Sequence, residues 1–281
     1  MKLADILVLL DGSPASHRRL EIACGIAARH EAHVIGLRCI DPIGRAMLYG
    51  DAGGGYGLSA LIEALRKEAL EKAAAIEADF QETAARFGVG AEWRLVEAAA
   101  VDVIALHGRY ADLIVMGQPD REQGGPGVDA VVEQALFASG RPVMVAPVAG
   151  GPAEAGKRVL IGWNASREAA RAVHDALPLL LRAEAVTVFA ANPEQGISGH
   201  GDVPGADIAR HLARHGVKVE VRQAFSDELS PGEMMLNLAS DLGVDLIVMG
   251  GYGHSRWREL VLGGVTRTML RQMTVPVLMS H

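Results

Sequence analysis

Runs of consecutive apolar residues alternate along this chain with longer stretches in which apolar positions recur every three or four residues. A continuous apolar run marks a strand buried on both faces, whereas the longer spacing marks an amphipathic helix. Short apolar strands read at 4–10, 32–39, 91–96, 112–116 and 142–147 in the first half, and at 158–163, 185–190, 217–223, 245–249 and 275–280 in the second, with 91–96 and 217–223 broken by charged residues. Strands separated by helices run parallel, joined by right-handed crossovers. The pattern predicts an α/β protein of two tandem doubly wound domains, each a five-stranded parallel sheet of order 3-2-1-4-5 flanked by helices.

The second half repeats the first. Residues 4–16, ADILVLLDGSPAS, return as KRVLIGWNASREA at 157–169, and DLIVMG occurs at Asp112 to Gly117 and again at Asp245 to Gly250. RPVMVAP, from Arg141 to Pro147, is echoed by TVPVLMS, from Thr274 to Ser280. The glycine- and proline-bearing stretch Ala149 to Gly156 has no apolar period, so the domains are expected at 1–149 and 156–281. Leu58 to Phe87 reads as one long helix, with Leu61, Leu65, Ala69, Ala73, Ile76, Phe80 and Ala84 near one face. Its counterpart near Asp207 to His215 is much shorter, and the tract Asp51 to Gly57 reads as a loop or a lid. The last strands, Val143 to Val148 and Val275 to Met279, would aggregate as bare edges, so they are expected to pair with each other about a pseudo-twofold axis within the chain, as an intrachain pseudo-dimer.

The chemistry concentrates in DLIVMGGYGHSRWRELVLGGVTRT, Asp245 to Thr268. Here a strand ends in Gly250, Gly251 and Gly253, and a second glycine turn, Gly263 and Gly264, opens a helix. Glycine exposes bare N–H groups, and a helix start attracts anions. Spacing alone is compatible with a phosphate cradle or with ordinary turn chemistry. In an open parallel sheet of this order the turn after the first strand lies beside the turn after the fourth, which brings Asn164 into one cleft with the Gly250 to Gly253 loop.

Composition narrows the classes. The chain has 281 residues, 49% of them hydrophobic and 22% charged, as in a globular protein with room for two cores. A net charge of −7 argues against a nucleic-acid surface but not against a nucleotide. No apolar run approaches the roughly 18 residues of a membrane span, and the opening LADILVLLD, broken by acidic residues, reads as neither signal peptide nor anchor. A cytoplasmic protein is expected. Cys24 and Cys39 form no metal or redox array and read as reduced core thiols.

In these residues the chain resembles the universal stress protein family, specifically its tandem two-domain members. The nucleotide-binding members carry a glycine, two residues, a glycine, nine residues, then a glycine followed by Ser or Thr. Gly250, Gly253 and Gly263 match that spacing, while Gly264 stands where the hydroxyl residue is expected. The family's first strand ends in an aspartate and a small-residue turn, reproduced by Asp11, Gly12 and Ser13, and replaced by Asn164, Ala165 and Ser166 in the second half. The resemblance implies that Asn164 holds the ribose or adenine, and that the backbone of Gly253, Gly263, Gly264 and Val265, with the Thr266 hydroxyl, holds the phosphates. The implied set is Asn164, Met249, Gly250, Gly253, Gly263, Gly264, Val265 and Thr266, for ATP, possibly with Mg, or for AMP or ADP. In the first half Asp120 replaces the second glycine and Glu122 and Asp129 make the loop acidic, so that half reads as an empty partner domain.

What the resemblance implies for function is a regulatory or signalling role in stress responses, with an unidentified protein partner and a further homodimer both open. The alternative is a nucleotide-independent interaction module of the same fold. Walker-type, SxxK, GxSxG and HExxH motifs are absent, and no residue is spaced to activate water, so no catalytic residue is expected and at most a slow ATPase. His211 and His215 stand one helical turn apart, but with no third ligand nearby in sequence they read as a solvated face, and no metal site is expected. His254, Arg256, Arg258 and Arg267 either reach phosphate oxygens or are surface charge beside a turn.

Overall fold

The computed structural model describes residues 2–49, 56–119, 128–149, 154–193, 203–252 and 264–281. The first half runs β1 (Asp5–Leu9), α1 (Pro14–His30), β2 (His33–Ile40), α2 (Pro42–Tyr49), α3 (Tyr56–Phe87), β3 (Ala91–Glu97), α4 (Ala100–Gly108), β4 (Leu113–Gly117), α5 (Val128–Ala138) and β5 (Val143–Ala146). The second runs β6 (Arg158–Gly162), α6 (Arg167–Leu180), β7 (Ala185–Ala191), α7 (Ala206–Arg214), β8 (Val219–Ala224), α8 (Pro231–Asp241), β9 (Leu246–Gly250), α9 (Gly264–Gln272) and β10 (Val277–Ser280).

Among the described residues ten strands form one sheet of order β3-β2-β1-β4-β5-β10-β9-β6-β7-β8, so each half has the expected 3-2-1-4-5 order. Within each half neighbouring strands are parallel; at the centre β5 and β10 are antiparallel, with Val277 opposite Val145, Leu278 opposite Met144 and Met279 opposite Val143. These six side chains are buried, which joins the two apolar edges that each half would otherwise expose. The cores lie on the two faces of this sheet, and each draws on both halves.

The repeated aspartate of DLIVMG has a structural task in both copies. Asp112 Oδ2 accepts hydrogen bonds from the Ala4 and Asp5 N–H groups at 2.7 and 3.1 Å. Asp245 Oδ1 accepts from Gly156, Lys157 and Arg158 at 2.8, 3.0 and 3.1 Å. Each carboxylate thus ties the start of its half's first strand to the fourth strand, which fixes the register from which the site is built. Burial pushes the Asp245 carboxyl above its ordinary value despite those three N–H donors.

Helix α3 has 32 residues against nine for α7. The tract at 51–55 and the linker at 150–153 lie outside the described residues.

Candidate functional site

In the second half the chain leaves β6 towards β7 and β8 on one side and returns to β9 on the other. The carboxyl ends of β6 and β9 are therefore the point at which strand order reverses, where an open parallel sheet leaves a crevice. A cavity of about 160 Å³ lies there, lined by Gly162, Trp163 and Asn164 after β6, Phe189 and Ala191 from β7, Pro231 and Met235 from α8, Met249 and Gly250 from β9, and Gly264, Val265 and Thr266 from the first turn of α9. That volume is close to an engineered cavity of about 150 Å³ that takes one benzene ring. Its wall is aromatic and aliphatic on the β7 and α8 side and polar at Asn164 and α9.

Of the eight residues implied by the sequence, Asn164, Met249, Gly250, Gly264, Val265 and Thr266 meet at this cavity. Gly253 and Gly263 lie outside the described residues, as do His254, Arg256, Arg258, Asp120 and Glu122.

The turn after β6 repeats the turn after β1 with different chemistry. Ser166 N–H donates to Asn164 Oδ1 at 3.2 Å, as Ser13 N–H donates to Asp11 Oδ1 at 2.8 Å, and in each copy the serine caps the following helix. The middle residue is left-handed in both: Gly12 at φ 83° and Ala165 at φ 57°. With Oδ1 engaged, Asn164 keeps its side-chain NH2 as a donor towards the cleft, and among the described residues that group has no partner.

Three helices begin around the cavity. Ser166 accepts from Ala169 N–H at the start of α6, and a capping box of Ser230 and Glu233 closes the start of α8. Those donors are occupied, which leaves α9 as the remaining start among the described residues. A Cβ built on Gly264 meets nothing within 4 Å, so its missing side chain leaves open space beside the first turn of α9.

Gly250 has a different reason to be glycine. A Cβ there would stand 2.5 Å from the Ala169 nitrogen and 2.7 Å from the Glu168 carbonyl carbon, so β9 can approach α6 only without one. Glu168 is buried at this contact; burial pushes its carboxyl up, but the Arg167 hydrogen bond, its own backbone N–H and the nearby charges of Arg167 and His281 outweigh that and leave it low. Thr266, expected to present its hydroxyl to phosphate, is 2% exposed, and its Oγ1 accepts from Tyr252 N–H at 3.3 Å.

Sequence reasoning missed Tyr252. It holds a left-handed backbone at φ 60°, its ring packs on Phe137 of α5 with centroids 4.9 Å apart, and its hydroxyl donates to Glu133 at 3.5 Å. Phe137 also meets His281 at 4.6 Å, and His281 Nδ1 lies 3.2 Å from the Gly251 carbonyl oxygen. A residue of the second half's glycine loop is thereby seated on the first half. No local signal could have shown this, because the partners are more than 100 residues apart.

In the first half the residue at the place of Asn164, Asp11, is held by a guanidinium. Arg19, 3% exposed, donates through Nη2 to Asp11 at 3.0 Å and Ser16 at 3.2 Å, and its Nη1 lies 2.1 Å from where a Cβ on Gly117 would stand. Burial raises the Asp11 carboxyl, but the charge of Arg19 and the hydrogen bonds from Ser13 and Arg19 bring it below its ordinary value. The residue equivalent to Arg19 in the second half is Ala172, so the carboxylate and its guanidinium are replaced together by Asn164 and Ala172.

Comparison with known proteins agrees with this architecture. A family model described as the universal stress protein family matches residues 3–145 and again 156–281. Two curated relatives, universal stress proteins of Synechocystis sp. and Methanocaldococcus jannaschii, are each 40% identical, over 70 and 48 residues, or 24% and 17% of this chain. Those matches span only 22% and 30% of the relatives' own lengths. The crystal structure of a universal stress protein from Archaeoglobus fulgidus aligns with 99% of this chain and 96% of its own at a TM-score of 0.71 and 18% identity, which speaks to the fold alone.

Proposed function

The chain belongs to the universal stress protein family as a tandem two-domain member, and from that premise we propose that its second half binds an adenine nucleotide, ATP foremost, to regulate what the protein docks against. The observation that carries the reading is the cavity at the strand-order reversal, apolar on one wall and ending on the other at Asn164 and the first turn of α9. A purine ring suits the space between Met235, Phe189 and Met249, the Asn164 NH2 suits a ribose or base acceptor, and the start of α9 suits the phosphates. Asn164 brings no charge, which spares the phosphates a neighbouring carboxylate.

In this reading Gly253 and Gly263 extend the phosphate seat, Mg accompanies the phosphates, and the first half is a bracing domain whose Asp11, at the place of Asn164, is already paired with Arg19. Binding reaches the first half through Tyr252, which links Thr266 to Glu133 and Phe137. Among the described residues no group at the cavity is placed as a general base for water, so this reading assigns the site binding, with at most slow hydrolysis.

A thermal-shift titration with Mg-ATP on the native chain and on Gly264→Ser tests this. The open space at Gly264 accepts a hydroxyl, and a hydrogen bond to a charged phosphate contributes about 1 to 3 kcal/mol, so the variant should bind on the order of tenfold more tightly. No shift of either protein at millimolar Mg-ATP would overturn the reading in favour of a nucleotide-independent docking module. A shift of both with equal affinity would leave the nucleotide but remove the phosphates from the start of α9.

A further inference from the structure

The sequence offers His211 and His215 as a helical pair without a third ligand, and the fold supplies one. His174 on α6 lies with its ring centroid 5.2 Å from that of His211 and 6.5 Å from that of His215, while His211 and His215 are 4.7 Å apart. Three imidazoles from two helices are thus gathered on one face of the second half, away from the nucleotide cleft. His211 Nε2 is buried and, among the described residues, has no hydrogen-bond partner. A solvated face would hydrate that nitrogen, and a packed core would pair it.

We propose that His174, His211 and His215 form a binding site for a divalent transition-metal ion that favours imidazole, Zn2+ foremost, which fastens α7 to α6. Zinc bound to nitrogen at about 2.0 to 2.1 Å in tetrahedral geometry sets neighbouring ring centroids about 5 Å apart, close to the spacings seen here. Imidazole-only ligation suits Zn2+, Ni2+, Co2+ or Cu2+ and disfavours Mg2+ and Ca2+, which take oxygen ligands. As the rings stand, no three such groups among the described residues surround a common ion position. His174 and His215 are exposed, and the proposed site requires their side chains to rotate towards His211. The neighbouring guanidinium of Arg171 is paired with Asp175 and that of Arg210 with Asp207; among the described residues Arg214 of α7 has no carboxylate partner.

The test is calorimetric titration of ZnCl2 into the full chain and into His174→Ala, His211→Ala and, as a control outside the cluster, His17→Gln. The native chain should show one saturable site, with affinity reduced at least about tenfold by His174→Ala, since even indirect partners of metal ligands contribute tenfold or more. His17→Gln should bind as the native chain does. Because His174 is exposed, His174→Ala should keep its far-ultraviolet circular dichroism, which separates lost binding from lost folding. Loading with Co2+ reports the same site independently, through visible d–d bands that His174→Ala changes. Absence of saturable Zn2+ binding would overturn the proposal; so would unchanged affinity in His174→Ala, which would place the ion on the α7 pair alone, or equal loss in His17→Gln, which would mean general histidine binding.

Discussion

Ala165 and Gly250 show how single positions carry the site's backbone. Ala165 adopts φ 57°, where the first half uses Gly12, and a Cβ in the left-handed region costs roughly 1 kcal/mol. Gly12 has an additional constraint, since its Cβ would meet Ile76 of α3 at 2.7 Å. Ala165→Gly should therefore stabilise the chain by about 0.5 to 1 kcal/mol, read as a higher urea midpoint with unchanged slope; a lower midpoint would mean that the turn is unstrained. The opposite holds at Gly250. Gly250→Ala must push β9 away from the backbone of α6 and should cost about 1 to 3 kcal/mol, measured in the same denaturation experiment. Both glycine turns are visible in the sequence as turns, but only the neighbours reveal that Gly250 serves packing while Gly264 leaves open space.

Among elements, the strands were the most legible: the inner ones are apolar runs buried on both faces, and the outer β3 and β8 alternate apolar and polar positions. Their bounds differ from the sequence reading by a residue or two, as at β1, Asp5–Leu9 against 4–10. Helix α2, Pro42–Tyr49, was not foreseen, since eight residues ending beside a glycine tract give little period to read. The pairing of β5 with β10 was expected from the cost of two bare apolar edges, and the register now makes it testable. Leu278 is 1% exposed opposite Met144, so Leu278→Ala should cost about 2 to 5 kcal/mol. Because the strands splice both halves into one sheet, the loss should appear as an earlier single unfolding transition; two separate transitions would show that the halves do not share a cooperative unit.

At the scale of the whole molecule the side-chain contacts between halves, unlike the β5–β10 pairing, were invisible in the sequence. They join residues far apart in the chain: Gln118 Nε2 donates to the Leu270 carbonyl at 2.9 Å, Arg29 Nη2 to the Ala155 carbonyl, and Arg182 Nη1 to the Arg29 carbonyl. His30, buried at this junction, is pushed down to about 4 by burial, with the charges of Arg182 and Arg29 adding to the effect. Its unfolded pKa is near 6.5, so below that value the unfolded chain binds the proton that the folded chain refuses. The stability associated with neutral His30 is present above about pH 6.5 and is lost as pH falls towards about 4. Urea midpoints at pH 7.5 and pH 5 should fall further for the native chain than for His30→Gln, and parallel losses would contradict this assignment. The duplication itself was legible from its repeated motifs. The proposed division of labour between its halves was only half legible: the acidic Asp120 was visible, but the pairing of Arg19 with Asp11 could be found only in three dimensions.

That division of labour is tested most directly by the stoichiometry of nucleotide binding. Calorimetric titration of Mg-ATP into the full chain should give one nucleotide per chain, because the second half offers the cavity beside α9, while in the first half Asp11, at the place of Asn164, is already paired with Arg19 and Asp120 replaces the second glycine. Two nucleotides per chain, or none at millimolar concentration, would contradict the account.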